Sequence, residues 1–543
     1  MRTFIIGPET KGMGIAEFFK EQELDFTPLA YSINKNLVPH DSILQEGDVV
    51  ESYSQTHKIG YAVYQKSLLF LLTAVMKEVV PEGRFEISHV ISKNIYGCFR
   101  NNRNITEEQV LRVKKRMMEL IQADVPFQVE MMRREEALKV LKSIGHGNEK
   151  WEYRGMYPES IPVYTLLGYS DYYYTPFVAS AGLLATFDLE YYMPGLLVRF
   201  ARRNNPTRLF EFTELPKIFD VIEETNRITD ILDISYANAL NKQIRAGRGK
   251  EIIRIGEALQ DQKIAQIAEH IQLNRSKYQL VLISGPSSSG KTTFAQKLEI
   301  ALMANGQTPI SLSLDDFYFD RDKTPLDLEG KPDFENLSAI DVDLFQTLLA
   351  DLINGETVEI PRYNFNTGMR EYRGETLRKE KTSPIIIEGI HGLNPKLTSR
   401  VPRHLKYIIY VTALTQLNLD PSNHIKTTDA RIIRRIIRDD RYRSFDIERT
   451  LGLWSSVRKG EEQNIFRFQE LADIHFNSNL PYELNVLKVY ADPLLSSVSR
   501  DSKYYQDAQN LLNILRYFEP LDSTWVPVFS ILREFIGNGG PHD

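Results

Sequence analysis

The sequence predicts an α/β protein whose second half carries a parallel sheet and whose first half is built of smaller α+β units. Three observations predict this. The apolar runs QLVLIS, TPISLSL, SPIIIEG and LKYIIYV alternate with helical stretches, the pattern of βαβ units. Between the first run and its helix lies GPSSSGKT, residues 285–292, which fits Gly-x-x-x-x-Gly-Lys-[Ser/Thr]. The 543 residues are 42% apolar and 25% charged, enough apolar mass for several cores.

The elements follow in chain order. Residues 1–55 read as one small α+β unit, with strands in TFIIG, LAYSINKNLV and GDVVESYSQ and a helix in GIAEFFKEQ. Next, IGYAVYQKSLLFLLTAVMKEVV has helical apolar spacing. TEEQVLRVKKRMMELIQAD is an amphipathic helix started by Thr106, and RREEALKVLKSIG is another, stopped at Gly145. Short aromatic-rich segments from about 150 to 215 read as strands. RAGRG, residues 245–249, breaks the pattern, and a helical stretch from Glu251 to Leu273 leads to the glycine-rich loop. Beyond about residue 490 the chain reads as helical. The expected division is 1–55, 56–240, a helical linker 241–275, the parallel-sheet domain 276–490 and a helical extension 491–543.

Bulk properties narrow the function classes. A net charge of -6 calls for neither nucleic acid nor an anionic membrane, so any such contact needs a local basic patch. A single cysteine, Cys98, allows no disulfide framework and no cysteine-based metal site within the chain. The start, MRTFIIGPETKG, has no apolar core for a signal peptide. The longest clean apolar stretch, Ser67–Met76, is well short of the roughly 18–20 residues of a membrane span. The expectation is a cytoplasmic protein with no membrane contact, and an oligomer is compatible with it.

The loop at 285–292 carries the first chemistry. Gly285 and Gly290 let the backbone turn tightly and bring its N–H groups to an anion, and the following helix adds its free N-terminal donors. Ser287, Ser288, Ser289 and Thr293 complete the cradle. Lys291 is placed to reach the outer phosphates, and the Thr292 hydroxyl to ligate Mg²⁺. The expected cofactors are ATP and Mg²⁺. A plain strand-to-helix loop is the bland alternative.

Two acidic strand ends add to this. TPISLSL runs into Asp315-Asp316, where a carboxylate beside the loop can accept a proton from an attacking hydroxyl. SPIIIEG ends in Glu388, which can hold a Mg²⁺-bound water near Thr292. Both also suit helix caps or turns. Farther on, Arg431, Arg434, Arg435 and Arg438 share one helical face and Ile432, Ile433, Ile436 and Ile437 the other. The basic side is a solvated face, an RNA or membrane contact, or a lid that closes over triphosphate, the reading placed first.

Together these residues resemble the uridine/cytidine kinase family, within the group that includes phosphoribulokinase, over roughly residues 278–480. By that resemblance SLDDFYFD makes Asp315 the catalytic base and puts Tyr318 at the substrate. PDFENLSAID places Glu335 on ribose hydroxyls, and IPRYNFNTGMR places Tyr363 beside the base. IIEGIHGL matches the strand end at Glu388, and RRIIRDDRYR gives the lid arginines Arg435, Arg438 and Arg443. The resemblance therefore implies ATP-dependent transfer to a small-molecule hydroxyl, with Asp315, Lys291, Arg438 and Arg443 catalytic. Three base-reading positions depart from the family: its histidine falls on Gly368, a later lid arginine on Phe445 and a glutamine on Leu453. A nucleoside 5'-hydroxyl is the first expectation. A sugar or polyol kinase, or an RNA- or ribosome-associated NTPase switch, are the alternatives.

The front half has its own resemblances. Residues 1–55 look like the small TGS domain. The following region is similar to the second, editing-type domain of threonyl-tRNA synthetase. That domain's metal-binding residues fall near Gln65 and Leu69 and around Tyr172 to Phe177, where this chain has no His or Cys. A binding or regulatory module, with RNA as one partner, or an oligomerising role is expected there.

Overall fold

The computed structural model describes residues 1–82, 85–99, 104–143, 159–173, 175–234, 236–326, 330, 332–365 and 367–539. The sheet that positions the site is made of five parallel strands in the order Ile310–Ser313, Ile385–Glu388, Leu280–Ser284, Lys406–Thr412, Ile474–Asn477. Its strands are continuous apolar runs because both faces are covered. Leu280 and Leu282 pack with Ile385, Ile387, Phe345 and Leu349 on one face. Val281 and Ile283 pack with Ile386, Phe294, Leu298 and Ile267 on the other. The second face is closed by the helix that follows the glycine-rich loop, Lys291–Ala304, and by the long helix Gly249–Leu273. Alternate residues of one strand thus serve two cores, as a two-residue period requires.

An antiparallel hairpin, Thr357–Asn364 with Met369–Arg378, is attached to this domain. The motif IPRYNFNTGMR spans the end of the first of these strands and the start of the second.

The first residues form an antiparallel sheet in the order Arg2–Ile5, Val49–Tyr53, Ala30–Ile33, Asn36–Val38, with the helix Ile15–Lys20 packed through Ile15, Phe18 and Phe19. The next region surrounds the helix Lys58–Val79 with antiparallel strands. The helix Glu107–Gln122 starts at a capping box between Thr106 and Gln109, which satisfies free N–H groups at the helix start. Arg134–Ser143 is helical as expected, and the stop assigned to Gly145 lies outside the described residues. RAGRG is a break within a longer helical run, where Gly247 takes φ +83° between Ala237–Gln243 and Gly249–Leu273.

One expectation needs correction. Among the described residues Lys58–Val79 is long and apolar enough to cross a membrane, and 78% of its most apolar window is buried inside the protein. The clean apolar stretch counted from the sequence, Ser67–Met76, is only part of this helix, which runs on through Lys66 toward its amino end. Lys66 is buried, and its Nζ donates to Asn423 Oδ1 at 3.2 Å.

Candidate active site

The loop begins where strand Leu280–Ser284 ends, and its shape is forced by close backbone contact. A Cβ on Gly285 would lie 2.1 Å from the Val411 carbonyl oxygen, so only glycine fits. Ser288 at φ +58° and Gly290 at φ +79° then turn the chain into the helix. Lys291 is buried, and its Nζ donates to Pro286 O at 3.2 Å. The hydroxyls of Ser288 and Ser289 are buried and bond to no protein atom. Thr292 is half-buried at the helix start. Thr293 donates its N–H and its hydroxyl to Glu534 Oε2, at 3.4 and 3.0 Å. Ser287 donates its N–H to Glu461 Oε1 at 2.9 Å.

The two aspartates after strand Ile310–Ser313 have different surroundings. Asp316 accepts from the Tyr363 N–H at 3.1 Å and from Arg362 at 2.9 Å, which ties the hairpin to the sheet. Asp315 is left facing Lys291 and Arg443; burial pushes its carboxyl up, and those two cations pull it back. Tyr318 lies beside Asp315, Glu335 and Glu388, and its hydroxyl donates to Phe334 O at 3.2 Å. Its ring meets Tyr363 edge-on at 5.7 Å, and Tyr363 is itself buried, with Arg321 near its hydroxyl.

Glu335 is pushed up to about 7, first by burial and then by Glu461, against the pull of Arg435 and Lys291. Gly460 makes room for it, since a Cβ there would come within 2.5 Å of the Glu335 Cβ. Glu388 is also raised to about 7, first by burial, with Lys291 opposing and Asp315, Glu534 and Asp316 adding to the rise. Lys291 is therefore within electrostatic reach of three carboxylates, Asp315, Glu335 and Glu388, that lie far apart in the sequence. They meet at the carboxyl edge of the parallel sheet, where the chemistry of such sheets is located.

Glu335 also makes stability depend on pH. The folded protein keeps a proton on Glu335 that the unfolded chain loses near 4.5. Its contribution is complete below about pH 4.5 and is lost as pH rises to about 7. Denaturation midpoints measured from pH 5 to 8 should fall more steeply in the wild type than in Glu335→Gln; parallel curves would refute this.

In the arginine helix, Thr427–Arg443, the four arginines Arg431, Arg434, Arg435 and Arg438 that share a face are buried rather than solvated. Arg431 and Arg434 are 1% and 0% exposed. Arg431 donates to Ser287 O at 2.9 Å and pairs with Glu461. Arg434 pairs with Glu483 at 2.5 Å and reaches Ser288 O and Ser478. Arg435 donates to Ser287 Oγ at 3.0 Å. Asp439, buried within the same helix, holds Arg435 at 3.1 Å, Arg438 at 3.0 Å and Arg443 at 3.6 Å. The charge of Arg438 lowers Arg443 to about 10. Sequence reading missed the four carboxylates that organise this corner, Glu461, Glu483, Asp439 and Glu534. Asp439 alone carried a signal, lying one helical turn after Arg435.

The positions that depart from the family are filled differently. Arg321 covers Gly368, where a Cβ would come within 2.9 Å of the arginine side chain. Phe445 lies 3.7 Å beneath the Arg449 guanidinium, and Leu453 is 37% exposed. In the front half, the helix bearing Gln65 and Leu69 meets the segment ending at Phe177. Phe70 stacks on Phe177 at 4.7 Å, and Ser67 Oγ accepts from the Val178 N–H at 3.0 Å. Aromatic rings occupy that place.

Known proteins match the two halves separately. Residues 280–481 match the model of the phosphoribulokinase / uridine kinase family. A uridine kinase of Halobacterium salinarum is 26% identical over 233 residues, 42% of this chain and 94% of that enzyme. A uridine kinase of Staphylococcus haemolyticus is 31% identical over 180 residues, 33% of this chain and 77% of that enzyme. A threonine–tRNA ligase of Paraburkholderia phytofirmans is 29% identical over 167 residues, 30% of this chain and 26% of the ligase, so the chain spans about a quarter of the ligase's length.

Proposed function

Because the chain belongs to the phosphoribulokinase / uridine kinase family, we propose that it transfers the γ-phosphoryl group of ATP to a small-molecule hydroxyl, most simply the 5'-hydroxyl of a nucleoside. The observation that supports this best is the group of Asp315, Glu335 and Glu388 around Lys291 beside a phosphate-type loop. Asp315 takes the proton of the acceptor hydroxyl, which its raised affinity for protons favours. Lys291 and the N–H groups from Ser288 to Thr293 hold the phosphates, with Gly285 and Gly290 shaping the loop and the Ser287–Ser289 hydroxyls lining it. Glu335, Tyr318 and Tyr363 position the acceptor, and Arg435, Arg438 and Arg443 offset the charge that develops on the transferring group.

Mg²⁺ fits this set of residues. Glu388 is crowded by other carboxylates, a strain that a cation relieves, and Thr292 offers a hydroxyl at the start of the helix that follows the loop. When bound there, Mg²⁺ neutralises phosphate charge. The carboxyl-terminal half, 276–490, is the catalytic domain in this reading. Residues 1–55 and 56–240 form TGS-like and synthetase-like modules, joined through 241–275, with 491–543 as an extension.

A sugar or polyol acceptor is the second reading. It draws on Gly368, Phe445 and Leu453, which supply no side-chain hydrogen-bond partner for a base at those positions. A role of the arginine helix in RNA binding is disfavoured, because Arg431, Arg434 and Arg435 are buried against the loop. Purified protein with MgATP, tested against nucleosides and sugars, should release ADP strongly with one acceptor and not in Asp315→Ala. Background release with every acceptor would sink the small-molecule kinase reading.

A further inference from the structure

The nucleotide's own place on the loop is covered by a segment near the carboxyl end of the chain, residues 527–537. Glu534 accepts both hydrogen bonds that Thr293 can donate, from its N–H and its hydroxyl. Thr293 is the third residue of the helix after Gly290, so its N–H has no partner within the helix and points at whatever anion binds the loop. Ile531 is fully buried against Gly290, where a Cβ would come within 2.5 Å of its Cγ2. Phe535 lies 4.9 Å from the Arg434 guanidinium, on the helix that roofs the loop. A carboxylate on the helix donors and an aromatic ring on an arginine give this segment the two chemical features of a nucleotide, an anion and a π-face.

The segment is built to hold this position. Arg533 donates to the carbonyls of Val526, Ser523 and Gly537, at 2.5, 3.0 and 3.1 Å, and so ties the turn to itself. Leu532, Phe535 and Ile536 enter the core that the isoleucine face of the arginine helix also enters.

We propose that residues 527–537 are an internal plug that competes with the nucleotide phosphates for the loop, with Glu534 taking the donors of Thr293. This rests on the reading of Gly285–Thr293 as the nucleotide-phosphate loop. One N–H and one hydroxyl cannot serve a carboxylate and a phosphate together, and the two anions repel at that separation. The plug therefore lowers apparent affinity by the fraction of molecules in which it is seated. The isoleucine face and the plug share one core, so movement of the roof helix and release of the plug are linked.

The test is calorimetric titration of the full chain with ATP and with ADP, with and without Mg²⁺. Glu534→Gln keeps the shape and removes the charge, and Glu534→Ala removes the acceptor. Both should bind nucleotide about tenfold tighter or more than wild type, the size expected for one charge-assisted bond. In the wild type, nucleotide should accelerate amide hydrogen exchange across 528–537. Equal or weaker binding by folded Glu534→Gln, or greater protection of 528–537 with nucleotide, overturns the plug and leaves the kinase standing. If neither protein binds nucleotide, the loop reading falls and the plug falls with it.

Discussion

Asp315→Asn should lower acceptor-dependent ADP release roughly 10²–10⁴-fold, the usual contribution of a positioned base, while its neighbour Asp316→Asn retains most of kcat. The structure separates the two residues by their partners. Asp316 is spent on the hairpin, through the Tyr363 N–H and Arg362. Asparagine keeps one oxygen to accept the N–H, so the hairpin loosens rather than leaves. Because Tyr363 is carried by that hairpin, the expected signature of Asp316→Asn is a raised KM for the acceptor. Asp315 faces Lys291 and Arg443 across the site. Its amide would still fill the space but could not take a proton. Steady-state kcat and KM for both variants decide the matter: equal losses of kcat, or a larger loss in Asp316→Asn, would assign the base wrongly.

Four of the sheet's five strands were legible as short apolar runs, and three of these end in a glycine or an acid at the strand's carboxyl end; the fifth, Ile474–Asn477, is too short and mixed to stand out. Gly285, Asp315 and Glu388 announce themselves in this way. The loop was legible because close approach to Val411 O permits only glycine at its first position. The start of the helix Glu107–Gln122 followed from Thr106 as its cap. What local pattern could not give is which charges are paired. Glu461 sits in RKGEEQN, which reads as a solvated helix face, yet it is fully buried between Arg431, Arg458 and the Ser287 N–H. Glu534 sits in ILREFIG, which reads as an amphipathic end of chain. Its burial depends on a loop 241 residues earlier. Lys66 is a further case, since its charge inside an apolar helix is met by Asn423, 357 residues away. Long-range pairing of charge is a tertiary property with no period in the sequence.

The arginine helix shows how much this pairing matters. On sequence alone, its four arginines formed one functional set. The structure divides them. Arg435 reaches Ser287, and with Arg438 and Arg443 it gathers on Asp439, near Glu335 and Asp315. Arg434 instead makes a two-oxygen pair with Glu483, at 3.1 and 2.5 Å, and holds the Ser288 and Ser478 carbonyls. It joins the loop, the end of strand Ile474–Asn477 and the helix Glu483–Ser496. Both members of that pair are 1% exposed. Removing one partner strands the other charge out of water, so Glu483→Ala should destabilise the protein by about 3–5 kcal/mol. Replacing both, as Arg434→Met with Glu483→Leu, should recover much of that loss, because an apolar pair of similar volume carries no desolvation cost. Arg443→Ala should do the opposite: denaturation should change little, since Arg443 is half exposed, while turnover should fall by roughly 10²-fold or more. Urea denaturation of the three variants, read beside their ADP release, separates the two kinds of arginine. A Glu483→Ala protein of wild-type stability would mean that Arg434 finds another partner or water. A stable but inactive Glu483→Ala would move Arg434 into the catalytic set.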